Sequence, residues 1–137
     1  MLFRSAGSVG YLRRGLAIAK AYASVRRIQG QTTYLKDVPL HIEELAKISL
    51  VYRGIAHLFF GAARLLGKTE CGTATSDDQK RLRLLTPTAK AFTAEKGVAA
   101  LEECMAALGG QGYMEETGLG RYVLRSVAKL KTHIEID

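Results

Sequence analysis

Between Leu45 and Leu66 the chain repeats apolar residues in alternating steps of three and four: Leu45, Ile48, Tyr52, Ile55, Phe59, Ala62 and Leu66. Only a helix brings positions with that spacing onto one face, and Val51, Leu58 and Leu65 add another apolar column beside it. A face this broad suits burial in a bundle better than the narrow seam of a two-stranded coiled coil. Pro39 fits the first turn, where its missing amide donor has no helical partner to lose. Gly67 is the predicted stop.

The rest of the sequence must supply partners for that helix. A first helix is predicted from near Ser8 to Arg27, with Val9, Leu12, Leu16, Ala19 and Ala23 on its buried side and Gly30 as its stop. QTTYLKDV then reads as a loop. After the polar connection TECGTATSDD, Ser76 and Gln79 have the spacing of a capping box and open a third helix. Pro87 is predicted to bend that helix or to make it restart from Thr86. Beyond it, Ala91, Ala94, Val98, Leu101, Met105 and Leu108 form a stripe small enough for close helix packing, and Gly97 is expected at a tight contact. A fourth helix carries Val123, Val127, Leu130 and Ile134 at heptad spacing. Two prolines, no tryptophan and no sustained alternation of apolar and polar residues argue against a sheet. The sequence therefore predicts an all-α fold, one domain over 1–137, built as an up-and-down four-helix bundle.

Charge is distributed unevenly. The formal net charge is +7, and residues 1–36 hold Arg4, Arg13, Arg14, Lys20, Arg26, Arg27 and Lys36 with no acid, while the remainder balances. Arg13, Lys20 and Arg27 recur every seventh residue, which on one helix would make a basic stripe facing solvent or an anionic partner such as nucleic acid. An acid-poor, arginine-bearing amphipathic start is also what a transit peptide looks like. Cys71 and Cys104 have no ligand-like companions, so free thiols are expected rather than a metal site or a disulfide framework. The longest uncharged apolar run, Gly54 to Ala63, falls short of the ~20 residues a membrane helix needs.

The second feature that stands out is a corner. The third helix ends at Gly109-Gly110, followed by Gln111-Gly112 and then Tyr113 with two acids. Glycine leaves a helix through the left-handed region without steric penalty, so a capping turn is the simplest reading. The same lack of side chains lets a ligand's phosphates approach the backbone. No catalytic constellation is present: there is no serine elbow, no phosphate-cradling loop ending in Gly-Lys-Ser/Thr, and no histidine pair at metal spacing. Glu43-Glu44, Glu102-Glu103 and Glu115-Glu116 are adjacent pairs that diverge on a helix. His41 and His57 receive no role.

LGGQGYMEETGLGR resembles the glycine turn in the C-terminal helical domain of the acyl-CoA dehydrogenase family. RRGLAIAKAYASVRR at 13–27, PLHIEELAKISLVYRGIAHLFFGAARLLGKTE at 39–70 and LRLLTPTAKAFTAEKG at 82–97 match the same domain in the same order. The likeness covers about residues 7–121 and leaves a divergent tail at 122–137.

The resemblance implies an FAD-dependent enzyme that desaturates acyl-CoA thioesters, in which this bundle packs on a second subunit and reaches that subunit's FAD. Arg26 corresponds to the family's pyrophosphate-binding arginine, a role suited to a planar, always-charged donor. Gly109 and Gly110 correspond to the turn beside the FAD phosphates. Gln29 stands where the family has an aromatic residue, and Ala106 where many members carry an FAD-contacting glutamine. The family's Glu-Gly-Thr base motif is missing, and Glu135 lacks its surroundings, so no catalytic residue and no metal ligand are assigned.

The expectation is a domain fragment that lacks the family's N-terminal and β domains. Alone it should be inactive and bind FAD weakly or not at all. Homo-oligomerisation is expected, and mitochondria or cytoplasm is the expected compartment. Two alternatives are a non-enzymatic helical oligomerisation module and a basic nucleic-acid-binding bundle.

Overall fold

The computed structural model describes residues 2–28, 30 and 32–131. Four helices carry the fold: α1 (Leu2–Val25), α2 (Pro39–Glu70), α3 (Ser76–Ala107) and α4 (Leu119–Lys131). Helices α2 and α3 have 32 residues each, a span of roughly 48 Å at the helical rise. Helix α3 packs against each of the other three, and the shorter α4 lies mainly on α3. The bundle is thus three long helices in mutual contact with a fourth on one flank.

The core stripes fall close to where the apolar spacing puts them. Val9, Leu12, Leu16, Ala19 and Ala23 of α1 are all buried, as are Leu45, Ile48, Ile55 and Ala62 of α2. On α3 the seam turns slightly from its predicted line. Ala91 is exposed, while Thr93, Gly97, Ala100 and Cys104 are buried with Ala94, Leu101 and Leu108. The close approach lies at Gly15 of α1 rather than at Gly97. A Cβ on Gly15 would lie 2.8 Å from Leu101 Cδ2 and 3.6 Å from Cys104 Cβ, whereas one on Gly97 would meet nothing within 4 Å.

Several boundaries differ from the sequence reading. Helix α1 starts at Leu2, since no strong breaker precedes Ser8, and ends at Val25, so Arg27 is not helical. Instead Arg27–Ile28 (β1) pairs antiparallel with Thr33–Tyr34 (β2), which replaces the expected loop with a two-residue ladder. Gly30, at φ +68°, serves the turn of this hairpin. The Arg27 guanidinium sits 4.7 Å over the Tyr34 ring and donates to its hydroxyl at 2.6 Å. The basic stripe Arg13–Lys20–Arg27 is therefore broken at its last member.

Helix α2 runs past Gly67 and stops at Gly72, whose φ is +71°. There Gly72 N donates to the Thr69 carbonyl and Thr73 N to the Lys68 carbonyl, the paired bonds of a Schellman end. The capping box of α3 begins one residue earlier than predicted. Asp78 N donates to Thr75 Oγ1 at 3.1 Å, and Thr75 N donates to Asp78 Oδ2 at 3.2 Å. Lys68 donates to the same carboxylate, which holds Asp78 below the ordinary carboxylate range. Pro87 does not interrupt α3. It sits on the exposed side with Arg83, so the carbonyl it leaves without a helical donor is open to water. Thr86 and Thr88 flank it and donate to the Leu82 and Leu84 carbonyls.

The side chain of Leu130 and all of Gln29, Ile134 and Glu135 lie outside what the structure describes. Among the described residues no helix is long and apolar enough to cross a membrane.

Candidate functional site

The corner after α3 is built from three glycines with three different reasons for being glycine. Helix α3 ends at Ala107, Leu108 is its C-cap, and Gly109 takes φ +60°, the left-handed position that ends the helix. Gly109–Tyr113 then form a short 3-10 turn. Gly112 is buried in it, and a Cβ there would drive into the Met105 carbonyl. Gly110 has neither constraint. Its φ is not positive, it is exposed, and a Cβ on it would meet no atom within 4 Å. The backbone at Gly109-Gly110 thus faces open space, which is the geometry a phosphate group needs to approach amide donors.

Beside this corner lies a hollow of about 610 Å³. Its floor is the outer side of α1, with Ile18, Tyr22 and Val25, and it continues to Leu108 and Gln111, the residues flanking Gly109-Gly110. Arg14 and Thr117 close its far end. The hollow therefore joins the end of α1 to the glycine turn, two regions far apart in sequence.

Arg26 follows Val25 directly. Its amide donates to the Tyr22 carbonyl at 2.9 Å and its own carbonyl accepts from Leu35 N at 2.8 Å, so its backbone is fixed between α1 and the hairpin. The side chain is exposed and makes no ion pair among the described residues. Arg26 is not itself among the residues lining the hollow; Val25 is. Of the three candidate residues, the structure brings the two glycines together in one turn, while Arg26 is linked to the hollow only through its neighbour Val25. Sequence reading missed Gln111, Tyr22 and Arg14 here, because only packing of α1 on the end of α3 brings them together. Ala106 is exposed and offers no side-chain polar group to a ligand.

Other chemistry-bearing groups are accounted for locally. Glu43 and Glu44 both hold Lys47, at 3.0 and 2.8 Å. His57 is exposed, at the helix edge rather than in the core. Cys71 is exposed and Cys104 buried, both as free thiols. Burial, helped by the neighbouring Glu103 charge, pushes the Cys104 thiol from an ordinary 9.0 up to about 12, which suits an inert core residue. Among the described residues no group of His, Cys, Asp or Glu is arranged to hold a metal.

Comparison with known proteins places this geometry in a family. Residues 2–129 match the acyl-CoA dehydrogenase C-terminal domain. The chain is 40% identical over 118 residues to acyl-CoA dehydrogenase family member 11 of Caenorhabditis elegans, covering 86% of this chain and 19% of that protein. It is 30% identical over 115 residues to the putative acyl-CoA dehydrogenase AidB of Escherichia coli K12, covering 84% of this chain and 20% of AidB. The crystal structure of C. elegans ACDH-11 in complex with C11-CoA superposes with a TM-score of 0.87 at 37% identity, over 93% of this chain and 21% of that one. The chain thus spans about a fifth of the length of the relatives it matches. With the matched residues running through all four helices, this chain belongs to the acyl-CoA dehydrogenase family and corresponds to its C-terminal helical domain.

Proposed function

We propose that this domain forms one wall of an FAD site in an enzyme that desaturates acyl-CoA thioesters, and that it does so across an interface between subunits. The observation that carries the reading is the hollow running from the end of α1 to the glycine corner, lined by Val25 next to Arg26 and by Leu108 and Gln111 on either side of the open Gly109-Gly110 backbone. Gly109 and Gly110 would present backbone to the cofactor's phosphates, and Arg26 would neutralise their charge with its planar donor fork. Tyr22, Ile18 and Val25 supply an apolar floor that keeps water from part of the bound dinucleotide. When bound, the flavin of such an enzyme accepts a hydride from the acyl chain.

No carboxylate lines the hollow, so removal of the substrate's α-proton is not assigned to the residues described. The acyl-CoA class of substrate is supported by the relative that binds C11-CoA. Leu50, Phe60 and Leu84 are 65–72% exposed. An interface between subunits would cover them. With Arg27 off the helix, the basic stripe on α1 is reduced to Arg13 and Lys20, which weakens the nucleic-acid reading.

A half-site binds its ligand weakly, so the test compares variants under one condition. Titrating the chain with FAD and following flavin fluorescence should give weak, saturable binding, reduced about tenfold by Arg26→Gln or by Gly110→Leu. Binding that neither substitution alters would contradict the proposal. Light scattering at the same concentrations should show self-association, and a strictly monomeric chain would count against the interface.

A further inference from the structure

A second cavity adjoins the hollow, and its character is different. It encloses about 370 Å³ and is lined by Arg14, Arg121, Arg125, Glu116, Tyr122 and the Thr117-Gly118 backbone turn. Arg14 comes from the middle of α1, while Arg121 and Arg125 stand one turn apart on α4. The two helices are held in register by Tyr11 and Tyr122, whose rings stack at 5.1 Å with an interplanar angle of 11°. That stacking ties α1 to α4 beside the cavity, which Tyr122 also lines.

Three like charges from two helices meet one acid here, and none of the three makes an ion pair among the described residues. All three are exposed to solvent, yet they line a common concavity in which the single Glu116 leaves a net positive charge. The first turn of α4 adds no acid. Guanidinium groups are planar forks of donors that match the oxygens of a tetrahedral oxyanion in pairs. A phosphate group has the charge to offset that excess and enough oxygens for more than one arginine.

We infer that this cavity binds a phosphate-type oxyanion, free or as the end of a phosphomonoester, through Arg14, Arg121 and Arg125. The cavity shares Arg14 and Thr117 with the hollow, but Arg121 and Arg125 line it and not the hollow, and the inference uses neither Arg26 nor the Gly109-Gly110 turn. Thr117 contributes shape rather than a free donor, since its hydroxyl oxygen lies 3.0 Å from the Met114 carbonyl and accepts from Leu119 N at 3.3 Å.

The test is an NMR titration of the full chain, following arginine Nε–Hε signals, with inorganic phosphate in one arm and phenyl phosphate in the other. Saturable shifts at Arg14, Arg121 and Arg125 are expected. Replacing all three by glutamine should weaken binding about tenfold or more. Replacing Lys20, Lys36 and Arg53 by glutamine removes the same charge elsewhere and should change binding by less than about twofold. Arg125→Lys keeps charge and fold but loses the paired donors, so it should bind more weakly than wild type. Tighter binding of phenyl phosphate identifies an ester terminus as the ligand, and equal or tighter binding of inorganic phosphate identifies the free ion. Shifts that rise without saturating, or equal losses in both triple variants, would overturn the site.

Discussion

Gly15 and Gly112 lack side chains because other atoms already occupy the space; Gly110 lacks one beside space that is empty. The first pair lies where α1 and the turn press on α3, against Leu101 and the Met105 carbonyl. The last faces the open side of the same corner, with no neighbour within 4 Å. One residue type thus marks both close packing and open backbone in the same bundle. The fold requires glycine in the first case and not in the second, where the proposed phosphate contact would use its bare backbone.

That contrast can be broken experimentally, beginning with its closed side. Gly112→Ala forces a Cβ into the Met105 carbonyl, and backbone cannot swing aside as a side chain can. Denaturant melts should show a loss of roughly 1–3 kcal/mol or more. Gly15→Ala should lose less in the same measurement, since what it meets is the end of the Leu101 side chain, 2.8 Å away. Equal losses would mean that the two contacts do not differ as described. Gly109→Ala must hold alanine at φ +60° and should lose about 1–2 kcal/mol through backbone conformation alone.

The seam beside Gly15 makes a further prediction through Cys104, whose thiol is raised to about 12 by burial. A thiol that stays protonated in the folded chain but ionises at about 9 when unfolded favours unfolding as alkali increases. Its contribution to stability is present in full below that lower value and is lost as pH rises toward the upper one, with a slope of no more than about 1.4 kcal/mol per pH unit. Comparing wild type with Cys104→Ala across this range isolates the effect, and identical profiles would show the seam to be wet. At neutral pH an alkylating reagent should label exposed Cys71 and spare Cys104 until the chain unfolds. Gly110→Ala, on the open side, should shift stability by only a few tenths of a kcal/mol.

How much of this was legible beforehand depended on the range of the interaction. The α1 stripe from Val9 to Ala23 is buried as its spacing predicts, because one helix's periodicity fixes its own face. Caps were less legible. Thr75 and Ser76 are both competent N-caps, and only the bond from Asp78 N to Thr75 distinguishes them. Likewise Gly67 and Gly72 are both plausible stops, and the difference is the left-handed φ that only Gly72 adopts. The β1–β2 ladder escaped because two residues per strand carry no alternation to read. The hollow and the arginine cavity depend on contacts between elements distant in sequence. Arg121 and Arg125 share a face of α4 through their four-residue spacing, but nothing in the sequence ties Arg14 to them.

The most direct test of the central claim is residue-resolved NMR of the chain titrated with FAD, observing the amides of Gly109, Gly110 and Gln111 and the side chain of Arg26. The account predicts saturable shifts at all four positions with one common binding curve, and their joint disappearance in Gly110→Leu, which keeps the fold. Shifts confined to other surfaces, or an Arg26 signal that moves independently of the glycine turn, would show that the end of α1 and the corner after α3 do not form one site.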